Sequence, residues 1–153
     1  CLPEREPLAP LNPPERIAGL ELKDSILGRP ALRELYRLHG KSVELKNGYV
    51  AQYSNGRDDA TIYYSETQNE EKAKELIERM VKKISEGNRF FTGLREVKKD
   101  NQSLYWVVGM GQEHYFFRNG KRIIWIAADR DVIENVLSEY LSFLLKEVRI
   151  AEK

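Results

Sequence analysis

The sequence of 153 residues has few of the side chains that most often carry chemistry: one cysteine, two histidines and two methionines. A single thiol cannot form an internal disulfide, and it cannot build a zinc or iron–sulfur site of the usual multi-cysteine kind. The chain contains neither a Cys-x-x-Cys-His haem attachment motif nor a Gly-x-Ser-x-Gly nucleophile elbow. We therefore predict a protein that is not an enzyme and that has no metal site and no cofactor.

The chain also lacks an excess of charge of one sign and a long apolar run. Lys and Arg number 25 and Asp and Glu number 24, so the net charge is +1, which gives no indication of a nucleic-acid partner. Near the C-terminus, Arg130, Asp131 and Glu134 interrupt the most apolar stretch, which is therefore too short to cross a bilayer. Length and composition predict one globular domain.

Proline is concentrated at the start of the chain, where five of the six prolines occur: Pro3, Pro7, Pro10, Pro13 and Pro14. Proline removes a backbone donor and favours extended geometry. Residues 1–27 are therefore predicted to form a tether, followed by a single domain at 28–153.

The single cysteine is residue 1, directly before the proline-rich segment. Cys1 and this segment resemble the start of a mature bacterial lipoprotein whose signal peptide has been cleaved. The resemblance covers only this part of the chain. It implies acyl chains such as palmitate on Cys1, which would hold the protein to a bacterial membrane on the periplasmic or extracellular face. The alternative is that the N-terminal boundary of this sequence falls on a cysteine by chance.

Hydrophobic periodicity predicts an α+β domain. Long helices are predicted after Asn69 and after Asp129 or Asp131, and a short one from Pro30. The predicted strands are 42–46, 49–53, 60–64, 94–98, 104–108, 115–118 and 122–127, with turns at Asn47-Gly48 and Asn119-Gly120. The expected architecture is a two-layer sandwich, in which two long helices pack on a mostly antiparallel sheet of six or seven strands.

Aromatic side chains are crowded on the three predicted strands between residues 104 and 127. If both helices cover one face of the sheet, the other face exposes an aromatic patch flanked by arginine, which is typical of a partner or ligand surface. Coverage of that face by the N-terminal segment is the alternative. The residues predicted to bind a ligand or partner are Trp106, His114, Tyr115 and Arg118.

His114 follows the paired glycines Gly109 and Gly111, which suit either a binding loop or a plain turn between strands. Together, these observations favour a lipid-anchored, non-catalytic accessory subunit of a membrane or cell-surface complex. Its expected partners are membrane lipid, through Cys1, and other protein subunits. A lipoprotein that binds a small ligand on the aromatic face is the alternative function.

Overall fold

The fold is described from a computed structural model. The described residues are 12–28, 30–33, 35, 45–87, 90–99 and 102–152, with the backbone alone described from 147 onward. In them the chain forms eight strands and two long helices. The strands are β1 (Arg16–Ile17), β2 (Leu20–Leu27), β3 (Leu45–Ser54), β4 (Asp59–Thr67), β5 (Thr92–Lys99), β6 (Gln102–Gly109), β7 (Gln112–Asn119) and β8 (Arg122–Ala128). Helix α1 (Glu70–Ser85) follows β4, and helix α2 (Ile133–Glu152) follows β8.

All eight strands belong to one antiparallel sheet with the order β1-β2-β3-β4-β8-β7-β6-β5. The first four strands form one meander and the last four form another. The two meanders join at the centre, where β4 pairs with β8 and Tyr63 lies opposite Trp125. The sheet edges are β1, which has two residues, and β5.

The two helices pack on opposite faces of this sheet. Helix α1 contributes Ala73, Leu76 and Ile77 to a core that also contains Phe116 and Trp125. Helix α2 lies on the other face, where its side chains join a core built on the alternate residues of the same strands: Val136, Leu137, Tyr140 and Leu144 with Tyr49, Tyr64, Ile124 and Ile126. The molecule therefore has three layers, with the sheet in the middle.

The predicted two-layer sandwich with six or seven strands is wrong, because the sheet has eight strands and is covered on both faces. The two additional strands, β1 and β2, occupy positions 16–27, which the sequence analysis assigned to the tether. Ile17 and Leu20 in these strands are buried in the core of the α2 face. The sheet therefore begins before residue 28.

Chain upstream of β1 is also packed on the domain. The Tyr53 hydroxyl donates a hydrogen bond of 2.7 Å to the carbonyl oxygen of Pro14. The amide of Leu22 donates to the carbonyl of Glu15 at 2.9 Å, and Pro13 is buried. The proline-rich character of the segment thus does not prevent residues 13–15 from lying against the sheet.

Strand β3 passes through Asn47 and Gly48, so the turn predicted there is wrong. The register shifts between Leu45 and Asn47, which marks a β-bulge. A Cβ atom at position 48 would lie 2.6 Å from the carbonyl oxygen of Tyr64 and would overlap the Leu35 side chain. The glycine serves close backbone approach inside the sheet. Residues 42–44 of the predicted strand lie outside the described residues.

The start of α1 is confirmed. The Oδ1 atom of Asn69 accepts a hydrogen bond of 2.9 Å from the amide of Lys72, and Asn69 is the N-cap. Helix α2 begins at Ile133, after Asp131, as predicted. The Asp129 carboxylate accepts a hydrogen bond from the amide of Asp59 at 2.7 Å. Asp129 thus joins the two central strands. Of the short helix predicted from Pro30, residues 30–33 and 35 are helical, and its remainder lies outside the described residues.

Candidate functional site

The four residues predicted as a binding surface divide between the two faces of the sheet. Trp106 packs against the core of the α2 face, and Tyr115 belongs to it. His114 lies on the opposite, α1 face, because alternate residues of β7 point in opposite directions and Phe116 belongs to the α1 core. By the same alternation, Arg118 lies on the α1 face, as His114 and Phe116 do. The structure therefore does not bring the four side chains into one groove.

His114 is a core residue that is only 4% exposed. Its Nδ1 atom accepts a hydrogen bond of 3.0 Å from Nε1 of Trp125. Since Trp125 can only donate, the ring proton is on Nε2, which donates to the carbonyl oxygen of Gly109 at 2.9 Å. Burial lowers the pKa of His114, and the bond to Gly109 opposes this in part. The imidazole is thus held in its neutral form between β8 and the end of β6.

Three exposed apolar residues lie at or next to the end of β6, and we call them the apolar corner: Phe90, Val108 and Met110. Their exposed fractions are 56%, 37% and 73%. Val108 and Met110 flank Gly109, and a Cβ atom on Gly109 would lie only 2.0 Å from the carbonyl oxygen of Phe90. Met110 has φ 55, in the left-handed region that few non-glycine residues adopt.

Rings of the α1 core lie next to the Phe90 side of the apolar corner. Phe91, next to exposed Phe90, makes a T-shaped contact with His114 at 5.1 Å between ring centroids and a tilted one with Trp125 at 5.3 Å. Trp125 stacks on Phe116 at 4.7 Å. The hydrogen bond from His114 to Gly109 then holds the backbone just before Met110. The corner is therefore built on a rigid base.

Trp106 and Tyr115 have internal partners on the α2 face. The indole Nε1 of Trp106 donates to Glu113 at 3.0 Å, and the Arg95 guanidinium lies 4.3 Å from the Trp106 ring centroid. The Tyr115 hydroxyl donates to Glu134 at 2.6 Å. Burial, followed by that hydrogen bond, raises the pKa of Tyr115.

Arg118 lines a groove of about 230 Å³ between α1 and the β6–β7 ladder. Its Nη1 atom donates to the carbonyl oxygen of Gly120 at 2.9 Å and contacts Glu70 at 3.3 Å. Lys74 and Glu78 line the α1 side of this groove, and Tyr105 lines its sheet side. The sequence analysis missed Lys74 and Glu78, because they lie among the solvated charges of a helix.

Two features are absent from the part of the chain that the structure describes. No group of three or more His, Cys, Asp or Glu side chains is arranged to hold a metal ion. No helix combines the length and the apolar character that crossing a membrane requires. Cys1, the predicted lipidation site, lies outside the described residues.

Comparison of the chain with protein-family models, with curated proteins and with solved structures found no match.

Proposed function

We propose that this chain is a lipid-anchored, non-catalytic accessory subunit of a membrane or cell-surface complex, and that it contacts another protein subunit through the apolar corner. The observation that carries the proposal is Met110, which is 73% exposed and in a left-handed backbone conformation. Both features are unfavourable for a methionine at an ordinary turn, so a role outside the isolated domain would account for them.

The neighbouring hairpin provides the comparison. Between β7 and β8, the left-handed position is occupied by Gly120, with φ 63. Between β6 and β7, Met110 and Gly111 both have positive φ, a turn geometry that usually takes Asn-Gly or Asp-Gly. A left-handed non-glycine residue costs about 1–2 kcal/mol. The chain thus bears this cost at the position where it also exposes a large apolar side chain.

The chemistry of the corner suits a protein partner. Phenylalanine and methionine are enriched in the buried centres of protein interfaces, and methionine adapts its shape to the partner. The rings of Phe91, His114 and Trp125 hold the corner in place before binding, which lowers the entropy lost on association. Both nitrogens of His114 are used in this support, which favours a binding role for this region over a catalytic one.

The lipid anchor is the second part of the proposal, and it rests on the resemblance of Cys1 and the prolines that follow to a processed lipoprotein. Eleven peptide units separate Cys1 from Asn12, the first described residue. This length reaches at most about 40 Å when fully extended. A lipid on Cys1 would therefore keep the apolar corner close to membrane-bound partners.

Site-specific photo-crosslinking in the cells that make the protein tests the partner contact. A p-benzoylphenylalanine residue replaces Met110 in one variant and the exposed Arg57 of the β3–β4 turn in a control. Both positions lie at the same end of the sheet. We expect a discrete crosslinked protein band from position 110 only. Equal crosslinking from both positions, or none from position 110, contradicts the contact.

The anchor is tested separately by the intact mass of the protein extracted from its native membrane. Excess mass equal to diacylglycerol on Cys1, with or without a further acyl chain on the amine, is the expected result. An unmodified Cys1, or additional residues before it, overturns the anchor while leaving the crosslinking result unaffected.

A further inference from the structure

At the other end of β6 from the apolar corner, the groove between α1 and the β6–β7 ladder has the features of a small-ligand site. Its volume of about 230 Å³ is below the range of about 300–1,000 Å³ that is usual for drug-sized ligands. A ligand with few heavy atoms fits this size. Side chains from three elements line it: Lys74, Ile77 and Glu78 from α1, Gln102, Ser103 and Tyr105 from β6, and Arg118 from β7.

We propose that this groove binds a small zwitterion, such as a free α-amino acid, with the ligand carboxylate at Lys74 and Arg118 and the ligand ammonium at Glu78. The proposal is independent of the partner contact at the apolar corner, because the two surfaces share no residue.

The cationic side of the groove includes a positioned guanidinium. The Arg118 side chain is 29% exposed, and its two contacts, with Gly120 and Glu70, both use Nη1. Those contacts orient the planar group and leave its other nitrogens for a further acceptor. Arginine suits a carboxylate because its donors form a fork that matches the two oxygens. Lys74 adds a second positive charge on the helix side.

Glu78 forms the anionic side of the groove, and Glu96 of β5 lies close to it, near the Tyr105 phenol. Burial raises the pKa of the Tyr105 phenol, and the carboxylates of Glu96 and Glu78 raise it further, so both lie near the phenol. The Ser103 hydroxyl donates to Glu96 at 2.6 Å, which positions that carboxylate. Among the described residues, Glu78 forms no ion pair of 4.0 Å or less, so its charge is available to a ligand ammonium.

Lys74 and Glu78 are four residues apart on α1 and do not form an ion pair with each other. With the lysine nearer the N-terminus, this spacing has the less favourable orientation for a helical ion pair. The two side chains therefore provide charges of opposite sign along one helix, about one turn apart. A ligand that carries both charges on neighbouring atoms complements this arrangement.

The floor of the groove is apolar and rigid. The Tyr105 ring stacks on Phe116 with 5.4 Å between centroids and 23° between planes. Ile77, almost fully buried, lies on the opposite wall. An amino acid with an aromatic side chain could place its ring against these groups, so L-phenylalanine is the first probe.

The test is a titration of the ¹⁵N-labelled protein with L-phenylalanine, in which the amide chemical shifts are monitored by NMR. We expect saturating shifts at Lys74, Ser103, Tyr105 and Arg118. Arg118→Gln and Glu78→Gln should each raise the dissociation constant at least tenfold. Lys82→Gln, an exposed substitution in the last turn of the same helix, is the matched control and should leave the constant unchanged. The ¹⁵N spectrum of each variant verifies its fold.

Single-charge probes test the zwitterion. N-acetyl-L-phenylalanine keeps only the carboxylate and L-phenylalaninamide keeps only the ammonium, and each should bind at least tenfold more weakly. Glycerophosphoethanolamine carries the same two charges as a lipid head group does. Tighter binding of this compound than of L-phenylalanine would support a zwitterion site and assign it to lipid. The proposal is overturned if neither zwitterion gives saturable shifts, or if N-acetyl-L-phenylalanine binds equally well.

Discussion

Gly48 lies within β3, at a point where a Cβ atom has no room. The carbonyl oxygen of Tyr64 on the neighbouring strand would be 2.6 Å away, and the Leu35 side chain would overlap it. The absence of a side chain lets Leu35 pack directly on the sheet, where it is fully buried. A glycine that looks like a turn residue in the sequence thus determines how closely the short N-terminal helical segment approaches the sheet.

We expect Gly48→Ala to lower the free energy of unfolding by about 1–3 kcal/mol, the usual cost of overpacking. The nearest fixed atom belongs to the backbone of Tyr64 and cannot rotate away. Urea denaturation measures the effect. Where a glycine has free space around it and a φ that alanine also adopts, replacing it by alanine is neutral or stabilising by about 0.4–1 kcal/mol. That result at position 48 would show that the chain does not pack closely against Gly48.

His114 is the residue whose charge state matters most to the core. The neutral ring accepts from Trp125 and donates to Gly109. Protonation would place a second N–H opposite the indole N–H and would remove the first of these bonds. Because burial lowers the pKa of His114 below its ordinary value, the folded protein holds the neutral form more strongly than the unfolded chain does.

This shift predicts a pH dependence of stability. Above the ordinary histidine pKa of about 6.5, both states are neutral and the full stabilisation is present. As the pH falls below it, the unfolded chain gains the proton first, so the free energy of unfolding decreases. We expect this decrease between pH 7 and pH 5 in urea denaturation, and a smaller one in His114→Gln. The same slope in both proteins would assign the dependence to other groups.

The β6–β7 turn is the element whose local sequence agrees least with its geometry. Met110 and Gly111 both have positive φ, yet asparagine adopts this conformation more readily than methionine does. Substitution of Met110 would therefore separate the stability of the turn from the partner binding proposed for the apolar corner.

We expect Met110→Asn to raise the free energy of unfolding by about 0.5–1 kcal/mol, a part of the left-handed penalty, and to weaken association with the partner. Chemical denaturation measures the first effect, and recovery of the partner in co-purification measures the second. A variant that is less stable, or one that retains full association, would contradict the role of this turn.

Elements with local signals could be predicted from the sequence. The start of α1 follows from Asn69 and the apolar stripe after it, because the N-cap hydrogen bond spans only three residues. Strand β2 could not be predicted in this way. Its sequence has a charged residue at three of its eight positions, and its longer pairing is with β3, where Leu22 lies opposite Tyr53. Contacts that distant in the chain leave no local pattern.

The candidate site was predictable only in part. The sequence identified β6 and β7 as strands rich in functional side chains, and Arg118 does line a groove. However, alternation directs neighbouring residues of a strand to opposite faces, so His114 and Tyr115 could not share one surface. Lys74 and Glu78 line the groove because of the way α1 packs on the sheet. The hydrophobic periodicity of α1 does not predict how the helix is oriented on the sheet.

At the scale of the whole molecule, the number of layers depends on which face each helix covers. An apolar stripe shows that a helix is covered, but it does not show by which face of the sheet. The sequence of β8 indicates coverage of both faces more clearly than the helices do, because residues 123–127 form an uninterrupted apolar run. Such a run is typical of a strand buried on both faces, and all five residues are buried.

This architecture predicts a gradient of hydrogen exchange across the sheet. Amides of β4 and β8 should exchange most slowly, because these strands are paired on both sides and covered by a helix on each face. Amides of β5, an edge strand with mostly exposed side chains, should exchange fastest among the long strands. Native-state exchange followed by NMR or mass spectrometry would measure this, and equal protection of β5 and β8 would refute it.

The junction of β4 with β8 also affects how the chain is made. Ribosomes complete the first meander some sixty residues before β8 is finished, so the growing chain presents β4 with an unpaired edge at the future centre of the sheet. Such edges recruit other chains. We therefore expect a chain truncated before Arg122, which lacks the partner of β4, to aggregate more readily than the full chain.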